Sequence, residues 1–172
     1  NIPLTKVMQK ALEEVGAPVF DEEDKKLAAA IRESLTPDQL NAVKARYANI
    51  PELVQRIEEG AVLCDIVVPY QEVGGAMSGS TDVGDASYCA PTAQINMATE
   101  ALGTPGHTWQ VTAQSCSSIA HKGNEKAAQV MALAALYAME DADLLKEARE
   151  YLLKSNGGGY KCPMPADLKP TL

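Results

Sequence analysis

The sequence predicts an α/β fold in which helices pack on a small sheet, and three patterns carry that expectation. Apolar residues recur at helical spacing toward both ends of the chain. Segments 93–99 and 109–114 alternate polar and apolar residues with the period of half-buried strands. A run rich in β-branched residues, 62–68, closes on Pro69 and reads as a strand or loop edge.

Taken in order, Thr5 can cap a first helix bearing Val7, Met8, Ala11, Leu12 and Val15, which Gly16-Ala17-Pro18 stops. Asp21-Glu22-Glu23-Asp24 places carboxylates where a helix N-terminus favours them, ahead of Leu27, Ala28, Ala30, Ile31 and Leu35. That cluster reads as a helix start rather than a metal site. Thr36-Pro37-Asp38 opens a helix running through Tyr47, and Ile50-Pro51-Glu52 opens one through Glu59 before Gly60. The pairs Glu13-Glu14, Glu22-Glu23 and Glu58-Glu59 fall on charged, solvated faces of these helices.

After the 62–68 run comes a glycine-rich connection, 74–85, built for backbone freedom and small polar groups. Thr104-Pro105-Gly106-His107 supplies turn chemistry between the two alternating segments, which suits antiparallel pairing. A helix is expected from about 124 to 139, apolar on nearly every side and therefore buried in the middle of a larger body. A last helix at 141–154 ends on Ser155-Asn156-Gly157-Gly158-Gly159, and the tail Cys162-Pro163-Met164-Pro165 is expected to lie extended on the surface. No internal repeat or interdomain linker interrupts residues 1–172, so one unit is the expectation.

Composition narrows the function classes. With 46% hydrophobic and 22% charged residues, the chain has the make-up of a folded globular protein. Twenty-three acidic against 15 basic residues leave a net charge of -8 with no basic run, which argues against nucleic acid and anionic membrane as partners. The most apolar stretch, 127–139, is shorter than the roughly 20 residues that a membrane span needs. Cys64, Cys89, Cys116 and Cys162 show no CxxC pairing, so neither a disulfide scaffold nor a thiolate metal site is expected, and a reduced, cytoplasmic setting is the simplest reading. The opening at Asn1, running straight into a helical pattern, reads as a chain cut from something longer.

Few residues offer chemistry. His121 precedes Gly123-Asn124 at the mouth of the apolar helix, where a ligand or catalytic role competes with a helix-start or packing role. His107 sits in a turn, with a local backbone hydrogen bond and a substrate contact as its two readings. The loop 78–85 gathers hydroxyls, carboxylates and amides suited to a carboxylate or amide ligand, and it lacks the spacing of a calcium-binding EF-hand loop. A plain glycine-rich turn is the competing structural reading.

Three stretches carry a resemblance: Gly79-Ser80-Thr81-Asp82-Val83-Gly84-Asp85, then Gly103-Thr104-Pro105-Gly106-His107-Thr108-Trp109-Gln110, then Ala120-His121-Lys122-Gly123. With the terminal Cys162-Pro163-Met164-Pro165-Ala166-Asp167, their order and spacing resemble the aminobenzoyl-glutamate utilisation B family. That family lies within the metal-dependent exopeptidases and amidohydrolases, alongside hippurate hydrolase, carboxypeptidase G and acetylornithine deacetylase. The resemblance implies the C-terminal segment of a zinc-exopeptidase-like catalytic domain, with the N-terminal catalytic half and the lid or dimerisation domain absent from this chain. It also implies hydrolysis of an N-acyl amino acid amide such as p-aminobenzoyl-glutamate.

By the same resemblance, paired divalent ions, zinc or manganese, activate a water while a Glu shuttles the proton. His121 matches the family's last metal ligand. Gly79, Ser80, Thr81, Asp82 and His107 become candidates for substrate binding. The family's His-x-Asp or Cys-x-His motif and its catalytic Glu-Glu pair are missing, so the chain alone is expected to be inactive and to hold metal weakly. The expected partners are a small amide substrate and a second subunit, identical or related. The alternative is a non-catalytic binding or assembly module that keeps the fold.

Overall fold

Most helices begin where a short polar side chain accepts the first free amides. The computed structural model describes residues 1–71, 81–162, 164–165 and 167–168. Among them lie eight helices: α1 (Ile2–Val15), α2 (Glu22–Glu33), α3 (Pro37–Arg46), α4 (Pro51–Glu58), α5 (Val83–Cys89), α6 (Trp109–Gln114), α7 (Ser118–Glu140) and α8 (Ala142–Ser155). Asn1, not Thr5, caps α1 by accepting from the Leu4 amide, and Gly16 ends that helix at φ 79°, a left-handed conformation that suits glycine. Asp21 with Asp24 and Thr36 with Gln39 form reciprocal capping boxes at α2 and α3. No helix among the described residues is long and apolar enough to cross a membrane.

The described residues contain no strand and no sheet, so the expected α/β class, helices on a small sheet, is corrected to all-helical. Each expected strand fails for its own reason. Across 62–68 the chain is irregular, fixed by single contacts such as the Leu102 amide donating to the Val62 carbonyl at 2.8 Å. Segment 93–99 does alternate in exposure, Gln94 and Asn96 outward with Ile95 and Met97 against α1 and α7, yet it meets no neighbouring strand among the described residues. Segment 109–114 is α6, whose buried side chains are Gln110 and Gln114, one helical turn apart, while Trp109 is 62% exposed. The apolar alternation there marked the wrong face, because this short helix buries amides.

Three apolar clusters make the core. Ala11 of α1 meets Val130 and Ala134 of α7, flanked by Val7, Leu12, Ile95 and Met97. Ala28 and Ile31 of α2 meet Phe20, Leu63, Ala101 and Ile119 at the start of α7. Val43 of α3 and Leu53 and Ile57 of α4 close around Ile50 and Leu102. Helix α7 begins six residues earlier than the expected 124 and is not covered on all sides: Met131, Leu136 and Met139 remain at least half exposed.

Candidate functional site

His121 lies in the first turn of α7, and its position follows from what anchors that turn. Ser117 caps the helix, its hydroxyl accepting from the Ala120 amide, while the His121 amide donates to the Ser117 carbonyl at 3.1 Å. One residue on, the Lys122 ammonium reaches back to α2, where it pairs with Asp21 Oδ2 at 2.7 Å and with Asp24. Asp24 is fully buried and also accepts from the Ser118 hydroxyl, so both Ser118 and Lys122 of α7 converge on one carboxylate. Burial pushes the Asp24 carboxyl up, but Lys122, Ser118 and the Asp21 amide together outweigh it and hold the group below the ordinary carboxylate range. Asp21 is held down at about 2, chiefly by its hydrogen bond to Lys122. The same two carboxylates, Asp21 first, push the Lys122 ammonium up. The acidic cluster is thus a helix start, as expected, that also grips a second helix.

Gly123 completes the anchor. A Cβ at this position would collide with the Ala98 carbonyl oxygen and lie 2.8 Å from Thr99 Cγ2, so the 93–99 segment crosses α7 directly over bare backbone. Within Ala120-His121-Lys122-Gly123, Lys122 and Gly123 are thereby committed to packing. The His121 side chain is left exposed.

The other candidates are held by different elements. Thr81 and Asp82 lead into α5, both exposed; Thr81 Oγ1 accepts from the Val83 amide at 3.3 Å, and Asp82 stands at the cap position without a side-chain cap bond. Gly79 and Ser80 lie outside the described residues. His107 is exposed in the turn before α6 at φ 60°, an uncommon left-handed conformation for a residue with a Cβ. Among the described residues no hydrogen bond or ion pair joins the side chains of Thr81, Asp82, His107 and His121.

What braces the His107 turn is a residue that sequence reasoning assigned to a strand. Gln114, 1% exposed, accepts from the Ala101 amide at 2.7 Å and donates to Thr104 Oγ1 at 3.1 Å and to the Gln110 carbonyl at 3.0 Å. Arg32 of α2 adds a hydrogen bond to the Leu102 carbonyl at 3.0 Å. A lone Gln inside an alternating pattern carries no signal for such a brace.

A cleft of about 630 Å³ opens between α1 and residues 94–104, and of the described candidates Thr81, Asp82, His107 and His121 none lines it. Glu100 at its wall has its carboxyl pushed up by burial, with Arg46 opposing, and the Tyr70 hydroxyl is buried without a hydrogen-bond partner among the described residues.

Among the described residues no group of three or more His, Cys, Asp or Glu side chains is placed to hold an ion, and a stable site needs several convergent donors. His121 is one exposed imidazole.

Comparison with known proteins gives a single direction. No family model matches the chain, and no solved structure matches it. The chain is 34% identical over 176 aligned residues, 99% of its own length, to the B component of the p-aminobenzoyl-glutamate hydrolase of Escherichia coli (strain K12), a subunit of that enzyme, and it spans 37% of that protein's length.

Proposed function

We propose that this chain is the C-terminal segment of a metal-dependent amidohydrolase that cleaves an aromatic N-acyl amino acid amide such as p-aminobenzoyl-glutamate. The observation that carries the reading is the similarity along 99% of the chain to a hydrolase component of that name. In this reading His121 is one donor to a site for zinc or manganese, and the remaining donors and the general base come from parts of the parent protein outside this chain. An exposed imidazole on a turn gripped from two sides supports that role, because a ligand must be held in place while its ring stays reachable. Thr81 and Asp82 at the start of α5, with Gly79 and Ser80 before them, contact the substrate, and His107 approaches it from the turn before α6. The parent works as a homodimer or with a related subunit, a reading supported by the relative's description as a subunit.

The chain alone turns nothing over in this reading, because the other donors and the general base belong to the rest of the parent protein. The test is His121→Ala in the full-length hydrolase. Bound metal and turnover should fall by about tenfold or more, since loss of even supporting contacts around a metal typically costs that much. His107→Ala should leave bound metal unchanged. Full metal and near-normal turnover in His121→Ala would overturn the assignment and favour a non-catalytic binding or assembly module.

A further inference from the structure

The terminal Cys162–Asp167 stretch has no role in the reading above, yet the residues just ahead of it meet the loop that carries Thr81 and Asp82. Tyr160 Oη donates to Asp85 Oδ1 at 2.9 Å across 75 positions of sequence. The Tyr160 ring stacks on that of Tyr88, with centroids 6.0 Å apart and planes 13° from parallel. Asn156 Nδ2 donates to the Tyr88 carbonyl at 3.0 Å. All three contacts land on α5.

That helix needs them. It has seven residues, buries none of them and lacks a side-chain cap bond, and an isolated helix of this length is not stable in water. A phenol is protonated at neutral pH in any case and can donate, and the hydrogen bond to the Asp85 carboxylate pushes the Tyr160 hydroxyl higher still. Hydrogen bond, ring stack and amide contact therefore tie α5 to the segment that leaves α8.

We propose that Tyr160, supported by Asn156, is a positioning residue for substrate recognition: by gripping Asp85 and Tyr88 it sets where α5 presents Thr81 and Asp82. The inference rests on the reading that Thr81 and Asp82 contact the substrate. It gives the C-terminal segment a part in affinity without touching the reacting bond.

The experiment is steady-state hydrolysis of p-aminobenzoyl-glutamate by the full-length hydrolase carrying Tyr160→Phe, which keeps the ring stack and removes the hydroxyl. KM should rise about fivefold with kcat within about twofold, the scale of one ordinary hydrogen bond, since the Tyr160–Asp85 contact is open to solvent. Tyr160→Ala, losing the stack as well, should raise KM further, whereas Asp85→Asn keeps an acceptor for the phenol and should show a smaller rise than Tyr160→Phe. Amide exchange in α5 should quicken in Tyr160→Phe while exchange in α1 and α7 stays as it was. Asp82→Asn separates the two layers of the argument. If it raises KM and Tyr160→Phe does not, the positioning role is overturned while the substrate loop stands. If Asp82→Asn changes neither constant, the substrate-loop reading fails and takes this inference with it.

Discussion

Asp24 on α2 and Lys122 on α7, 98 positions apart, form an ion pair in which the carboxylate is fully buried and the ammonium side chain is 32% exposed. The asymmetry decides what each deletion costs. Lys122→Met strands a buried carboxylate with only the Ser118 hydroxyl and the Asp21 amide, and should lower stability by about 3 kcal/mol. Asp24→Ala leaves an ammonium that still reaches Asp21 and water, and should cost less, about 2 kcal/mol, mostly the lost capping box and the Ser118 contact. Urea unfolding midpoints of the two variants check the order, and a larger loss for Asp24→Ala would show that the buried charge is not the governing term.

The pair also sets an acid dependence. Both carboxyls have folded-state pKa values below the ordinary 3.8, Asp21 at about 2, so their contribution is fully present above that ordinary value and is lost as pH falls through the folded values. Stability of the unaltered chain should therefore decline from about pH 4 toward pH 2. In Lys122→Met the partner that lowers both pKa values is gone, so this stretch of the curve should flatten. An acid decline equally steep with and without Lys122 would count against the pair as its source.

Gly123 offers a test of the crossing over α7. Replacement by Ala would ordinarily help a helix interior by about 1 kcal/mol. Here the new methyl meets the Ala98 carbonyl and sits 2.8 Å from Thr99 Cγ2, backbone and side chain of a segment pinned by Ile95 and Met97. Overpacking of this kind costs about 1–3 kcal/mol, so Gly123→Ala should come out destabilised and should disturb the exchange of amides 97–101. An unchanged or raised melting temperature would mean that the crossing segment yields freely.

The long helices were legible in the sequence because their signals are local. Asp21, Thr36 and Pro51 mark helix starts and Gly16 a stop through groups within one turn, and 3.6-residue spacing exposes the faces of α1, α2 and α8. The acidic composition and the motif around His121 were equally plain. Short α5 hid inside a glycine-rich run, and α6 was mistaken for a strand, since the alternation of Trp109 to Gln114 says nothing of which face is buried. The burial of Gln110 and Gln114 is decided by the Ala101 amide and by Thr104 and Ser34, partners that meet these amides only once α6 docks.

Tertiary structure alone decided the rest, for the same reason each time. A strand pattern becomes a sheet only if another strand supplies its hydrogen bonds, and segment 93–99 finds helices instead among the described residues. A lysine becomes an anchor only when a distant carboxylate is buried beside it, and nothing near Lys122 in sequence announces Asp24. Likewise the meeting of Tyr160 with Asp85 depends on where α8 ends in space. Local spacing determines which helices can form. The free energy of burying groups far apart in sequence determines which faces those helices hide, and so which side chains, His121 among them, are left exposed.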